Sequence, residues 1–141
     1  MQKKQLSASL EDYLEAIYNL SQKGKAARSK DIANVLQVAR ASVTGALKLL
    51  RSKGLIDYQP YGFIYLTEKG VSQAQTVVRR HNIIESFFIN VLGVDKHLAQ
   101  QAACRAEHAL GSAVIAKLLD FTEFSMHYSS KGTDIIGDFQ K

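Results

Sequence analysis

Cys104, Glu107 and His108 bring a thiol, a carboxylate and an imidazole close together in the sequence. In a helix, side chains at positions i, i+3 and i+4 project from the same face, so these three groups would point toward a common centre. All three groups are ligands for first-row divalent metals. The spacing therefore predicts a metal-binding face on this helix.

Two further polar pairs show helical spacing: His81 with Glu85 at i, i+4, and Asp12 with Glu15 at i, i+3. Each pair alone is equally typical of a solvated helix face or of a structural histidine. The three sets together favour one shared metal site. The thiol and imidazole of the first set lie in an alanine-rich apolar segment, where an unpaired ionisable group is costly.

Cys104 and His108 are also the residue types of a catalytic nucleophile and its general base. That chemistry needs a third orienting group and an oxyanion hole, for which the sequence offers no candidate. HExxH, glycine-rich phosphate loops and serine elbows are absent, so a hydrolase has no positive support. A metal-dependent enzyme would turn over a substrate, and its chemistry gives no reason for the excess of basic residues in one half of the chain. We expect no enzyme activity, and we expect His97 and His127 to be surface residues.

The composition is that of a globular protein: 141 residues, 46% hydrophobic and 22% charged, with nine glycines and one proline. It excludes collagen-like, low-complexity and disulfide-scaffold classes. The longest apolar runs are far shorter than the ~20 residues of a membrane-spanning helix, and the N-terminus lacks the pattern of a secretion signal. We therefore expect a cytoplasmic protein with no membrane partner, in which the single cysteine, Cys104, forms no internal disulfide.

Charge is unevenly distributed along the chain. Residues 1–66 contain ten Lys and Arg against five Asp and Glu, whereas the remainder is balanced, eight against eight. A basic half joined to a neutral half is typical of a protein that meets a polyanion with one end. An ordinary solvated charged surface is the alternative.

Apolar residues at helical spacing predict three helices in the basic half. The first begins at about Leu10 and is capped by Ser7 or Ser9. The second begins near Ser29, where Ser-Lys-Asp supplies an N-cap and a first-turn acid, and the third runs from about Arg40 to Lys53. Two β-branched and aromatic runs, 55–59 and 63–66, flank a Pro and Gly turn and predict a β-hairpin. Three helices followed by a hairpin are the winged helix-turn-helix order, in which the recognition helix enters the DNA major groove.

Basic and hydroxyl side chains fall on the third helix opposite its apolar face. The predicted DNA contacts, to base edges or phosphates, are Arg40, Ser42, Thr44 and Lys48, with Ser29, Lys30 and Arg51 on the DNA backbone. Tyr61 and Gly62 at the hairpin tip are further candidates for backbone contact. The alternatives are helix caps for the hydroxyls, solvated surface for the cations and an ordinary turn for the tip.

Three more helices are predicted in the neutral half: from Thr67 to about Leu92, from Asp95 to about Leu110, and one opening at Ser112. They bury little by themselves, so we infer that they form a dimerisation domain. The expected fold is mainly α: an N-terminal winged helix-turn-helix domain over 1–66 and a helical metal-binding and dimerisation domain over 67–124. The pattern leaves the order of a tail over 125–141 undetermined.

These motifs together resemble the DtxR/MntR family (diphtheria toxin repressor and manganese transport regulator) of metal-activated transcriptional repressors. The resemblance spans about residues 6–122 and rests on Leu6–Tyr18 (LSASLEDYLEAIY), Asp31–Ala33 with Ala41–Thr44, Leu66–Gly70, Arg80-His81 with Glu85, and Cys104–His108.

The manganese branch has glutamate where this chain has Cys104. The ligands that resemblance to it implies are Asp12, Glu15, His81, Glu107 and His108. The iron branch has cysteine at the Cys104 position, with methionine in place of Asp12 and histidine in place of Gln100. It shares the residues that match His81, Glu85, Glu107 and His108. The predicted site is therefore a hybrid of the two branches.

Carboxylate and imidazole ligands suit Mn²⁺ and Fe²⁺, and a thiolate shifts the preference toward Fe²⁺, or toward Zn²⁺ in vitro. We expect Fe²⁺ or Mn²⁺, with iron slightly favoured and one or two ions per subunit. The resemblance implies a homodimer that binds operator DNA with metal as co-repressor and represses iron or manganese homeostasis genes. The alternative is a winged-helix regulator that responds to a small organic ligand or to an oxidant through Cys104.

Overall fold

The structure, a computed structural model, describes residues 6–24, 26–58, 62–129 and 134–141. These residues are mainly helical and contain one antiparallel pair of short strands, which confirms the expected fold class. The chain divides into two compact units, an N-terminal unit (Met1–Val77) and a C-terminal unit (Val78–Lys141). The division falls inside the fourth helix, and the domain bounds of 1–66 and 67–124 stay a prediction.

The helices of the N-terminal unit are α1 (Ala8–Gln22), α2 (Ser29–Leu36) and α3 (Arg40–Ser52). The Ser7 hydroxyl caps α1 by accepting the Leu10 N–H at 3.2 Å. Ser29 was expected to cap α2 but is its first residue. The Arg28 N–H is instead held by the Asp31 carboxylate at 3.2 Å, so the first-turn acid satisfies the exposed donor at this helix start.

The predicted hairpin is present as β1 (Ile56–Tyr58) and β2 (Ile64–Leu66), which pair antiparallel with Ile56 opposite Leu66. The predicted turn residues Pro60 and Tyr61 lie outside the described residues. The Ile64 N–H donates to the Ala27 carbonyl at 2.8 Å, so the segment before α2 also pairs with the hairpin. This bond ties the start of the helix-turn-helix to the wing.

The core of the N-terminal unit is formed by large aliphatic side chains from every element. The fully buried members include Leu14, Ile17, Ile32, Leu47, Leu50, Leu55, Ile56 and Ile64. Burial of such side chains contributes about 1.5–3 kcal/mol each. The polar face of α3 is therefore exposed to solvent, and the packing of its apolar face fixes its orientation.

The fourth helix, α4 (Glu68–Ser86), begins in the N-terminal unit, where the Thr67 hydroxyl caps it by accepting the Gly70 N–H at 3.1 Å. Gly70 lies directly against the Leu55 carbonyl, where a Cβ would clash, so glycine permits this close approach. The sequence predicted an α-helix to about Leu92. The α-helix in fact ends at Ser86 and a π-helical segment follows, Phe87–Val91.

The remaining helices are α5 (Lys96–Ala106), α6 (Ser112–Ser129) and α7 (Ile135–Gln140). Asp95 caps α5 as predicted. However, α5 ends at Ala106 and not near Leu110, because the Ala109 N–H turns to the Ala106 carbonyl and tightens the chain. Of the region 125–141, left undetermined by its sequence pattern, residues 125–129 continue α6 and Ile135–Gln140 form α7, while residues 130–133 lie outside the described residues.

Among the described residues, the C-terminal unit has the smaller apolar core: Ile84, Ala103 and Ile115 form one cluster with Phe88 and Leu118 packed partly against it, and Val91 and Ala99 are also buried. Several large apolar side chains of α6 and α7 stay exposed, including Phe121, Phe124, Met126, Ile135 and Phe139. No helix in the described part of the chain has the length and apolar character needed to span a membrane.

Candidate metal centre and basic cleft

His81, in the second half of α4, is the centre of a polar cluster in the C-terminal unit, and its side chain is buried. Its Nδ1 lies 2.8 Å from Oε2 of Glu107, and its Nε2 lies 2.9 Å from Oε2 of Glu85. One turn of α4 places Glu85 beside the ring, as the i, i+4 spacing predicted. Glu107 reaches the other nitrogen from the turn that follows α5.

Glu107 is fully buried, an unusual state for a carboxylate without paired charge. Its Oε1 lies 3.2 Å from Nε2 of His108. This contact lacks hydrogen-bond geometry, and Oε1 accepts no hydrogen bond from any residue that the structure describes. The Sγ of Cys104 lies 3.7 Å from Nδ1 of His81. All five ligands predicted in this unit therefore lie in one cluster.

The hydrogen-bonding requirements of the cluster call for either an added proton or a bound cation. A neutral imidazole has one donor and one acceptor nitrogen, whereas an ionised carboxylate only accepts. His81 faces a carboxylate oxygen at each nitrogen, so one contact requires either a second ring proton or a metal ion between the two groups. The buried Oε1 of Glu107 is also available as a ligand atom. The donor set therefore fits a divalent ion.

The spacing of the donor atoms also fits a metal site. Ligand atoms about 2.1 Å from one octahedral ion lie about 3 Å apart along an edge of the polyhedron. On the Nδ1 side of His81 the separations are 2.8 Å to Glu107 Oε2 and 3.2 Å between Glu107 Oε1 and His108 Nε2, which match that edge length. One ion binds only one nitrogen of a ring, so Glu107 and Cys104 belong to the Nδ1 side of His81 and Glu85 belongs to the Nε2 side.

Two details of the predicted site are wrong. Glu107 and His108 do not lie on α5 but in the turn after it, although Glu107 keeps a helical backbone and so the predicted grouping. Cys104 is exposed, so the argument from the cost of an unpaired buried group does not apply to its thiol. The cost of burying an ionisable group applies instead to Glu107 and His81, which are buried.

Asp12 and Glu15 lie one turn apart on α1 in the N-terminal unit, and their role as ligands stays a prediction. Their neighbour Glu11 is buried, a feature that its sequence position gave no means to foresee. The other histidines, His97 and His127, are exposed, as expected.

The predicted DNA-contact residues of α3 lie on its solvent face. Arg40, Ser42, Lys48 and Arg51 are exposed. The Thr44 hydroxyl donates to the Arg40 carbonyl at 3.1 Å, which leaves its oxygen lone pairs and methyl group for a partner. Ser29 and Lys30 open α2 beside this face, so the two predicted groups border one surface.

A cleft of about 510 Å³ lies between the start of α2, the start of α3 and the hairpin. Its lining residues are Arg28, Ser29, Lys30, Arg40, Thr44, Tyr58 and Gly62. Arg28 and Tyr58 line this cleft but were not among the residues predicted to contact DNA. The guanidinium of Arg28 lies over the Phe63 ring, with Cζ 4.4 Å from the ring centroid. This is a contact between residues distant in sequence, which helical periodicity does not predict.

Two family descriptions match the sequence. Residues 5–64 match the iron dependent repressor, N-terminal DNA binding domain, and residues 67–136 match the iron dependent repressor, metal binding and dimerisation domain. The basic cleft lies in the first match, and the cluster around His81 lies in the second.

Three named relatives are similar over most of this chain. An HTH-type transcriptional regulator of Methanocaldococcus jannaschii is 35% identical over 84% of this chain and 95% of its own length. The transcriptional regulator MntR of Escherichia coli O6:H1 is 34% identical, over 81% of this chain and 73% of its own length. The diphtheria toxin repressor of Corynebacterium glutamicum is 29% identical over 95% of this chain and 58% of its own length.

Among solved structures, a manganese-dependent transcriptional repressor in complex with manganese is similar, with a TM-score of 0.75 and 27% identity. The match covers 82% of this chain and 53% of that protein. This chain thus spans about half the length of that repressor and little more than half of the Corynebacterium relative.

Proposed function

The chain belongs to the DtxR/MntR family of metal-dependent transcriptional regulators, and we propose that it is a repressor that binds operator DNA as a homodimer when a divalent metal ion is bound near His81. The observation that carries the proposal is the buried Glu107, whose two oxygens face His81 and His108. A fully buried carboxylate between two imidazoles is poorly suited to a structural core and well suited to a cation site.

Each ligand has a definite part in holding the ion. Glu107 and His81 are the buried anchors, Glu85 orients the His81 ring, and His108 and Cys104 add an imidazole and a thiolate at the edge. The ion supplies positive charge that compensates the carboxylates and fixes the ligand side chains relative to one another. The donor side chains that would hold the ion come from α4 and from the turn after α5.

We assign Asp12 and Glu15 to the same site on the basis of the sequence resemblance. They lie on α1, whose apolar face is part of the core that holds α2 and α3. A ligand on α1 would therefore link metal occupancy to the orientation of the recognition helix. In a dimer, two recognition helices must be spaced by about one DNA turn, ~34 Å, to occupy successive major grooves.

We propose Fe²⁺ as the physiological ion, ahead of Mn²⁺. The carboxylate and imidazole ligands suit both ions, whereas the Cys104 sulfur, 3.7 Å from the His81 ring, favours the softer Fe²⁺. Manganese, zinc and cadmium are named with structurally similar proteins, at 27%, 26% and 26% identity. A glutamate at the Cys104 position would shift the preference toward Mn²⁺.

The test is anaerobic titration of the chelator-stripped protein with Fe²⁺ and with Mn²⁺, in parallel with binding to a duplex of its own promoter region. Saturable metal uptake should switch on DNA binding, at a lower free concentration for Fe²⁺. Glu15→Ala and His108→Ala should each fold and dimerise yet lose the stimulation by metal. His97→Ala and Glu123→Ala, at exposed positions, are the matched controls. Full stimulation retained in both ligand variants would contradict the proposal.

A second candidate is a regulator that responds to oxidation of Cys104. It is favoured by the exposure of this thiol and its position beside His81. Such a protein would bind DNA in the presence of a chelator and lose binding on peroxide treatment, and Cys104→Ser would abolish that response. A metal-dependent repressor loses DNA binding with chelator alone.

A further inference from the structure

The cleft at the start of α2 is lined by a group of positively charged side chains. Arg28, Lys30 and Arg40 line it, and no carboxylate is among its described lining residues. Within the described part of the chain, none of these three side chains makes an ion pair or a side-chain hydrogen bond. Three cations around one cleft repel one another, and an external anion would relieve that repulsion.

Arg28 differs from the other two cations because its side chain is held in place. Its guanidinium lies over Phe63, with Cζ 4.4 Å from the ring centroid, and this cation–π contact leaves its N–H donors available to a further partner. The preceding residue, Ala27, is bonded through its carbonyl to Ile64 of the wing at 2.8 Å. Backbone and side chain together therefore fix Arg28 between α2 and the hairpin.

We propose that Arg28, stacked on Phe63, is a DNA-backbone ligand that binds a phosphodiester oxygen in this cleft and fixes the wing against the duplex. The proposal rests on the proposed function as a DNA-binding repressor and adds a residue to its interface. A planar guanidinium with several N–H donors binds phosphate by paired hydrogen bonds, and pre-orientation on the ring reduces the entropy lost on binding. Lys30 and Arg40 supply the surrounding positive potential.

Because a phosphate contact acts on any sequence, the probe is a mixed-sequence 30-base-pair duplex, with the full chain saturated with Mn²⁺. Affinity is measured across a KCl series for wild type, Arg28→Gln, Arg28→Lys, Phe63→Leu and the control Lys23→Gln. Lys23 is an exposed cation at the end of α1 outside the cleft lining. The control therefore removes the same charge at a different place.

Arg28→Gln should weaken binding about tenfold or more at low salt, since a charge-assisted hydrogen bond is lost. The slope of log affinity against log salt should also become shallower by about 0.9 for each lost phosphate contact. Arg28→Lys and Phe63→Leu should keep the slope and lose part of the affinity, because the charge remains and the planar, stacked geometry does not. Lys23→Gln should change affinity less than twofold.

Arg28→Gln with the affinity and slope of Lys23→Gln would overturn the proposal and leave the proposed function intact. Failure of the wild type to bind any duplex with metal would overturn both. Arg28 is exposed and its backbone N–H, not its side chain, is bonded to Asp31. The variants are therefore expected to fold, which circular dichroism verifies before each titration.

Discussion

The two units bury different kinds of side chain. The N-terminal unit is closed by large aliphatic residues from all its elements, of which Leu14, Leu47 and Ile64 are fully buried. In the C-terminal unit, the buried apolar cluster consists of Ile84, Ala103 and Ile115, and two ionisable groups, His81 and Glu107, are buried nearby. The N-terminal unit is therefore stabilised by its own apolar core. The C-terminal unit instead buries ionisable side chains, which need a compensating charge or hydrogen-bond partner.

The exposed surfaces of the two units also differ in the kind of side chain they present. Basic residues dominate the outer face of α3, whereas the C-terminal unit exposes aromatic rings: Phe124 is 62% and Phe139 66% exposed. Exposed aromatic clusters of this kind mark interaction surfaces in soluble proteins. Under the proposed function, the N-terminal unit needs no ligand to close its core, whereas metal and a second copy complete the C-terminal unit.

The largest expected effect concerns the two cores themselves. Leu47→Ala should lower the free energy of unfolding of the N-terminal unit by about 2–5 kcal/mol, the range for truncating a fully buried leucine. Leu118→Ala, at a half-buried position of the C-terminal unit, should cost less than half as much. Urea unfolding of the metal-free protein, followed by circular dichroism, measures both. Equal losses would remove the contrast between the two cores.

Loss of a buried ligand should act through metal alone. Glu107→Gln preserves the shape of the side chain but replaces an anionic ligand by a neutral one, so metal affinity should fall about 100-fold or more, beyond the 10–100-fold typical of outer-shell groups. Saturating metal, at about 100 times the wild-type dissociation constant, should stabilise wild type by about 2.7 kcal/mol and the variant by no more than about 0.4 kcal/mol.

Isothermal titration and thermal unfolding with and without Mn²⁺ measure these two effects. Glu123→Gln, an exposed position on α6, is the matched control and should behave as wild type. If Glu107→Gln bound metal with wild-type affinity, its buried carboxylate would be structural and the comparison of the two units would lose its central support.

The exposed rings of the C-terminal unit are expected to form the contact with a second copy. Phe124 stacks on Tyr128 at 5.8 Å between ring centroids, which presents a preformed aromatic surface. Phe124→Asp should raise the dimer dissociation constant about 30-fold or more, the effect of removing a hot-spot residue worth about 2 kcal/mol. Val35→Asp, at a 55% exposed residue of α2, controls for added surface charge.

Analytical ultracentrifugation over a concentration series distinguishes the two variants. A monomeric Phe124→Asp protein beside a dimeric Val35→Asp protein would support the proposed surface. Equal dimerisation of both would place the contact on another face of the chain.

The winged helix-turn-helix order was predictable because its signals are local. Apolar spacing along α1 and α3, the cap at Ser7 and the paired runs around the hairpin turn are each set by neighbours in sequence. The grouping of His81 with Glu85 was predictable for the same reason, since one helical turn places both side chains on one face.

Other features depend on contacts between distant residues and were not predictable. The α-helical part of α4 ends at Ser86, and two carbonyls of the following π segment, those of Asn90 and Val91, accept bonds from the Gln140 side chain at 3.2 Å. The stack of Arg28 on Phe63 and the exposure of Cys104 likewise follow from packing. A single sequence without tertiary information carries no signal for them.

The smallest expected effect concerns the choice of metal at the edge of the cluster. Cys104 is exposed and its Sγ lies 3.7 Å from His81, so its replacement should leave folding and total metal capacity intact. Cys104→Glu replaces a soft ligand by a hard one and should raise the affinity for Mn²⁺ relative to Fe²⁺ about tenfold, a change of about 1.4 kcal/mol.

Cys104→Ser separates ligand softness from the mere loss of a thiol. The serine hydroxyl is a poor ligand for both ions, so this variant should bind Fe²⁺ more weakly and keep its Mn²⁺ affinity nearly unchanged. Anaerobic competition between the two ions gives the ratio directly. A ratio unchanged in both variants would mean that Cys104 lies outside the coordination sphere, and ion selectivity would then rest on the carboxylates and imidazoles alone.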